Sequence, residues 1–408
     1  MKVLLLGSLV SQKAMEKLNQ SSREKASIAP VNYETMLAKG LQENGAQVEA
    51  VSIPAVAAFP NSSFMWIGNK EERLECGVSI RWVPFLNIQL LKQWTIRLSV
   101  TTMLKQWLKK YQDDPDKAVL MYSIYPPYSS SAVELCRKYD CHLSTVIADL
   151  PEYMYTWKQS GGLRGLYAKR LSQEMVRLQT ACDSYVLFTE KMAERMGIKN
   201  KPYMVSEGFS DGSVFDEIPV QEKNAKKTIV YAGNLSKLYG IRSLVDAFML
   251  LLGDYELHLY GAGRDVEYIQ ECAAKDNRIR YMGRVSRKES LIALKKAHLI
   301  VINKPTSDDY SNYSFSSKIL ECMASGTPVL MTRVGGMPEE YYPYCYFIDD
   351  ETVAGISEAM KTVIENSEHE LQKKGESAAK FAGNSKNYKI VSERILLFLQ
   401  SMTGTRGR

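Results

Sequence analysis

Tyr313-Ser-Phe-Ser-Ser-Lys-Ile-Leu-Glu-Cys-Met-Ala-Ser-Gly-Thr-Pro-Val-Leu330 is the stretch on which the reading of the chain turns. Its spacing predicts a helix capped by Ser316 or Ser317 that runs to Ser325 and stops at Gly326, with Pro328 opening the next strand. A helix start leaves backbone N–H groups without helical partners. Together with the helix dipole they attract a phosphate, and Lys318 in the first turn adds a full positive charge. Glu321 follows Ser317 by about one turn of the same face, where its carboxylate can accept hydrogen bonds from both hydroxyls of a ribose. The same residues also read as a capped amphipathic helix with Lys318 and Glu321 as an ordinary surface pair at i,i+3.

Outward from this segment, short apolar runs alternate with longer helical patterns from end to end. Val3–Leu6, Val48–Ile53, Val119–Tyr122 and Ser144–Ile147 read as strands in the first half. Thr228–Tyr231, Leu257–Tyr260, Leu299–Ile302 and Val329–Thr332 read so in the second. Strand–helix alternation of this kind predicts an α/β fold of parallel sheets covered on both faces. With 408 residues the chain exceeds one ordinary hydrophobic core, so two doubly wound domains are expected. The polar segment Gly212 to Lys227, which contains Pro219, reads as the linker. Helices are expected from Asn32 to Asn44-Gly45 and from Arg242 to Leu252 before Gly253.

Three further positions follow strands of the second half, where ligands sit in open parallel sheets. In Tyr231-Ala-Gly-Asn-Leu-Ser-Lys-Leu-Tyr-Gly240, Gly233 permits a tight turn and Lys237 stands in the loop leading to the next helix, within reach of a phosphate. A plain strand-to-helix turn with a solvated lysine reads equally from this motif alone. In Leu259-Tyr-Gly-Ala-Gly-Arg264 a dinucleotide fingerprint would need a third glycine where Val266 stands. In Ile279-Arg-Tyr-Met-Gly-Arg-Val-Ser286, Gly283 and Arg284 end a short strand, where exposed backbone groups can meet a base edge.

These motifs, in this order, resemble glycosyltransferase family 4, in the variant common among bacterial capsule, exopolysaccharide and O-antigen enzymes. The donor-site pattern is matched by Phe315 to Leu330. Its companions are Tyr231-Ala-Gly-Asn-Leu, Tyr260-Gly-Ala-Gly, Tyr281-Met-Gly-Arg-Val and Thr332-Arg-Val-Gly-Gly-Met-Pro-Glu-Glu340. The resemblance implies a GT-B fold, two Rossmann-like domains facing across a cleft. It places an acceptor-binding domain at 1–212 with a crossover helix at 385–408, and a nucleotide-sugar domain at 222–384. It implies retaining hexosyl transfer from a nucleotide diphosphate-sugar, a UDP-sugar, to a saccharide or lipid-linked saccharide, with no metal and no cofactor. Carried over by position, Glu321 is the ribose contact, Lys237 and Lys318 are the diphosphate contacts, and Arg284 and Val285 offer backbone to the base. Gly233, Asn234, Gly261, Ser316 and Ser317 complete the donor pocket. Two positions depart from the pattern: Tyr313 stands where many members carry a second glutamate, and Asn234 where an arginine is frequent. In the first half, Ile147-Ala-Asp-Leu-Pro-Glu-Tyr153 resembles the segment whose acid faces the donor sugar, which makes Asp149 a candidate at the reacting centre beside Lys237 and Lys318. A buried Asp capping a loop reads from the same residues. The long loop Ser8 to Val31 replaces the usual glycine-rich turn and is expected to shape the acceptor site.

Composition narrows the alternatives. The seven cysteines are scattered and never spaced Cys-x-x-Cys, which predicts neither a disulfide framework nor a zinc site and fits a reducing cytoplasm. A net charge of +6 is too small to call for nucleic acid. The opening Met-Lys-Val-Leu-Leu-Leu-Gly reads as a strand rather than a signal peptide, and no apolar run approaches the roughly 18 residues that span a bilayer. Between Asn87 and Tyr111, Ile96, Val100, Met103, Trp107 and Tyr111 form one helical stripe apart from Lys105 and Lys109. That segment reads either as a helix lying on the inner face of a membrane or as a packed helix with a basic outer face. Two other function classes are weighed: a nucleotide-sugar-binding scaffold without activity, suggested by Tyr313, and an epimerase or dehydrogenase, which the incomplete glycine fingerprint disfavours.

Overall fold

A computed structural model describes residues 1–23, 25–89, 91–150, 162–219, 221–307 and 309–404. The chain divides into two compact units, Met1–Gly208 with Tyr388–Arg408, and Phe209–Asn387.

The strands of unit 1 are β1 (Lys2–Gly7), β2 (Gln47–Ser52), β3 (Trp66–Ile67), β4 (Glu71–Arg73), β5 (Ser79–Trp82), β6 (Phe85–Leu86), β7 (Lys117–Tyr122), β8 (His142–Ile147), β9 (Ser184–Leu187) and β10 (Tyr203–Val205). Eight of them form one sheet in the order β10-β9-β8-β7-β1-β2-β5-β4, parallel except where β4 runs against β5 at the edge. β3 and β6 make a separate antiparallel pair. Val3, Leu4, Leu5 and Leu6 of β1 are all buried, as expected of a central strand covered on both faces.

Unit 2 contains β11 (Lys227–Asn234), β12 (Tyr255–Ala262), β13 (Ile279–Gly283), β14 (Leu299–Ile302), β15 (Val329–Thr332) and β16 (Tyr346–Ile348). They form a parallel sheet in the order β13-β12-β11-β14-β15-β16. Its two faces carry separate cores. Ile229, Tyr231 and Leu257 pack against Phe248 and Met360 on one side, and Val230, Ile300 and Met331 against Leu320 and Phe381 on the other. All eight apolar runs read as strands are strands, because short continuous runs of β-branched and leucyl residues bury both faces in such a sheet.

Two local expectations are corrected, and of the two readings of the segment 87–111 the packed one holds for its apolar stripe. The first helix begins at Ala29 rather than Asn32, since Pro30 fits its first turn, and it ends where expected, before Gly45 with φ +86°. Ser8 to Val31 is not one loop: Ser11 caps a helix, Gln12–Gln20, through a bond from the Ala14 N–H to its hydroxyl. In the helix Leu91–Lys110, the stripe offered to a membrane faces inward, with Ile96, Val100, Met103 and Trp107 buried. Its outer face begins with exposed Leu91, Trp94 and Leu98 and continues through Thr102, Lys105 and Lys109.

Candidate donor site

In a parallel sheet of this order the first strand is central, and the connections leave it in opposite directions at β11/β14. A crevice therefore opens at the carboxyl ends of those two strands. Every residue proposed for the donor lies along that edge of unit 2. Gly233 and Asn234 end β11 with little cover, and Lys237 is exposed at the start of a short 3-10 turn, Lys237–Tyr239, which closes at Gly240. Gly261 lies near the end of β12, while Arg284 and Val285 directly follow Gly283 at the end of β13. The helix Ser317–Ala324 belongs to the connection from β14 to β15, with half-buried Tyr313 just before it. Asp149 lies elsewhere, half-buried two residues beyond β8 in unit 1. Residues 151–161, which include Pro151, Glu152 and Tyr153 of that motif, lie outside the described residues.

Glycines draw the strand ends together. At Gly261, with φ +134°, a Cβ would lie 1.9 Å from the Gly233 carbonyl oxygen. At Gly240, with φ +71°, it would lie 1.7 Å from the carbonyl oxygen of Asn303, the residue after β14. The Asn303 side chain fastens this approach, donating to the Gly240 carbonyl at 3.0 Å and to Ser243 Oγ at 3.1 Å. Left-handed backbone and contact at this range admit only glycine.

At the helix itself, Ser316 occupies the N-cap position with an extended backbone, but its side chain makes no capping bond. The helix ends at Ala324, with Gly326 at φ +76°. Lys318 Nζ lies 2.5 Å from Glu321 Oε1, with side-chain exposures of 30% and 26%. The ordinary-pair reading of these two residues is therefore realised. Burial disfavours the Lys318 ammonium, but Cys322 and the Glu321 carboxylate outweigh it and hold its pKa above the usual value. An i,i+3 pair on a helix contributes only about 0.2–0.5 kcal/mol, so little holds these two groups to each other.

Sequence reasoning missed Lys304 and Ser314. Lys304 lies two residues past β14, where its Nζ donates to Ser314 Oγ at 2.6 Å and sits 4.5 Å from the Tyr310 ring centre. A signal was present in Asn303-Lys-Pro305 directly after an apolar strand, since the crevice lies at the carboxyl ends of such strands. Thr306 is tied to Glu351 through its N–H at 3.0 Å and its hydroxyl, which fixes the loop that leads to the donor helix. No group of three or more His, Cys, Asp or Glu side chains suited to a metal occurs among the described residues.

Residues 226–366 match the family described as Glycosyl transferases group 1. Over 120 residues the chain is 28% identical to N-acetyl-alpha-D-glucosaminyl L-malate synthase of Bacillus anthracis, a match that spans 28% of this chain and 29% of that enzyme. Among solved structures, sucrose-phosphate synthase from Thermosynechococcus elongatus superposes with a TM-score of 0.65 at 13% identity, covering 99% of this chain and 100% of its own. Anabaena HepE in complex with UDP gives 0.63 at 14% identity, covering 98% and 100%. The fold is thus GT-B. Within it, residues 226–366 are the part that matches the group 1 glycosyl transferases.

Proposed function

We propose that the chain is a retaining, metal-independent glycosyltransferase of family 4. It moves a hexosyl unit from a UDP-sugar held by unit 2 to a saccharide held by unit 1, the acceptor being a lipid-linked oligosaccharide in cell-surface polysaccharide synthesis. The observation that carries this reading is the helix Ser317–Ala324, which presents Lys318 and Glu321 from its first turns at the carboxyl edge of a parallel sheet. The ammonium groups of Lys318 and Lys237, with the N–H groups of the helix start, stabilise negative charge on the departing diphosphate. Glu321 holds the ribose, the backbone at Arg284 and Val285 meets the base, and Gly233, Asn234 and Gly261 let the ligand lie close to the strand ends. Tyr313 takes the position next to the sugar, and Asp149 supplies a polar group on the acceptor side. UDP in the HepE structure supports the choice of nucleotide.

A peripheral membrane location at the cytoplasmic face follows from the same reading. The helix Leu91–Lys110 contains Lys92, Arg97, Lys105, Lys109 and Lys110 and no acidic residue. Exposed Leu91, Trp94 and Leu98 lie beside this charge. Exposed Phe59, Met65 and Trp66 join them on segments that the buried Asn87 ties together through bonds to the Ala57 and Phe64 carbonyls. Aromatic and leucyl groups with adjacent lysines suit an anionic lipid surface. No described helix is long and apolar enough to cross a membrane.

A panel of nucleotide-sugars and free nucleotides screened by thermal melting tests the donor assignment. A ligand present at a hundred times its dissociation constant adds about 2.7 kcal/mol. UDP and one UDP-sugar should raise the melting temperature of the wild type and leave Lys318→Ala and Glu321→Ala nearly unmoved. Stabilisation by no nucleotide, or equal stabilisation of both variants, would overturn the assignment.

A further inference from the structure

Asn303 and Lys304, the residues that leave β14, stand between the two segments that carry Lys237 and Lys318. β14 pairs with β11, with Val230 opposite Ile300, so the two strand exits open side by side where the connections diverge.

Asn303 fastens the turn of the first lysine. It is 3% exposed, and its amide nitrogen donates to the Gly240 carbonyl and to Ser243 Oγ. The Gly240 N–H in turn donates to the Lys237 carbonyl at 2.9 Å, which closes the turn directly behind Lys237. At the other end of this turn the Leu235 N–H donates to the Ala262 carbonyl, and the Leu235 carbonyl accepts the Asp265 N–H, both at 3.0 Å. The Lys237 backbone is thus held from both sides, by the exit of β12 and by Asn303.

Lys304 fastens the entry to the second lysine's helix. Its carbonyl accepts the hydroxyl of Thr332, the buried last residue of β15, at 2.5 Å, so the side chain reaches out from an anchored main chain. Its ammonium donates to the hydroxyl of Ser314, which is 7% exposed and stands two residues before the N-cap Ser316. Phe315 lies between those serines and packs on the buried Tyr341, with ring centres 5.1 Å apart. The helix that follows is seated in the core through Ile319, Leu320 and Met323, so its start has little freedom once Ser314 is fixed.

Building on the donor reading of Lys237 and Lys318, we propose that Asn303 and Lys304 are positioning residues that set the separation of those two ammonium groups. Through that separation they give this sheet edge its preference for a diphosphate over a monophosphate. Two cations held at one spacing meet both phosphates of a diphosphate without being ordered by the ligand, while a monophosphate gains from one of them only.

Calorimetric titration with UDP, UMP and uridine tests this on the wild type, Lys304→Met, Ser314→Ala, their double variant and Asn303→Ala. In each single variant the ratio of the UMP to the UDP dissociation constant is expected to fall at least about tenfold, while uridine affinity stays within about twofold. The double variant should lose no more than either of its singles, because both remove the same hydrogen bond. Retention of the wild-type ratio by Lys304→Met and Ser314→Ala overturns the proposal. So do losses that add in the double variant, which would mean that the Lys304 ammonium acts on the ligand directly, and so does an equal fall in uridine affinity. Absence of UDP binding by the wild type removes the donor reading and this inference with it. UDP binding with an unchanged ratio in the variants removes this inference alone.

Discussion

The two sheets place their first strands, β1 and β11, at the same topological position, yet the turns that follow them have opposite chemistry. After β1, the Ser8, Leu9 and Ser11 N–H groups are capped by Glu34 and Glu72. After β11, Lys237 stands exposed, and among the described residues no carboxylate accepts from the turn between Asn234 and Gly240. At one strand end the N–H groups are taken by the protein's own carboxyl groups, while the other leaves Lys237 exposed on the same sheet edge as the Lys318 helix. Topology sets where a ligand can sit, and a few side chains on the turn decide its charge.

The largest effects should come from removing the cationic and diol contacts proposed for the helix Ser317–Ala324. Lys318→Ala and Glu321→Ala are each expected to lower kcat/KM by about 100- to 1000-fold, the range for losing one preorganised charge-stabilising contact, while shifting unfolding free energy by under about 0.5 kcal/mol. Steady-state kinetics beside denaturant melts checks both halves. Next in size is backbone packing. Gly240→Ala should destabilise by about 3 kcal/mol or more, because its Cβ meets a backbone carbonyl at 1.7 Å in a left-handed residue. Gly7→Ala meets only the tip of Glu34, which can swing aside, so about 1–2 kcal/mol is expected. Equal losses for the two glycines would break the comparison.

The pH dependence of stability separates the turns further. Burial pushes the Glu34 carboxyl up to about 7, against the hydrogen bonds from Ser8 and Leu9 that pull it down. The folded state therefore holds a proton that the unfolded chain has released. Its contribution is full below the unfolded value near 4.5 and is lost as pH rises through about 7. Urea melts across that window should show a loss of at most about 3 kcal/mol from this group. In Glu34→Gln that part of the slope should vanish, and an unchanged slope would contradict the assignment. The smallest effect belongs to the surface. Trp94→Ser should leave stability within about 0.5 kcal/mol and weaken sedimentation with phosphatidylglycerol vesicles by about tenfold.

Much of this was legible in the sequence. The eight central strands announced themselves because apolar runs with flanking turn signals admit few other readings. The places of the residues proposed for the donor were legible because most stand at or just after a strand end or open the helix at Ser317. Short edge strands were not: β4 and β16 have three residues each, too few for a period to show. Glu34 was hidden for another reason. In the sequence it is one polar residue in an ordinary helix, and only folding brings it 26 positions back along the chain to Ser8. The exposed Leu91, Trp94 and Leu98 were not legible, because the more regular apolar stripe, from Ile96 to Trp107, stands out in the sequence and is the one the core takes.

The central claim, that one first turn receives a diphosphate while the other is already filled, is tested most directly by amide hydrogen exchange with and without UDP. Protection is predicted at 233–240 and 316–321, with no change at 7–12. Protection at 7–12, or none along the second sheet's turn and helix start, would contradict it.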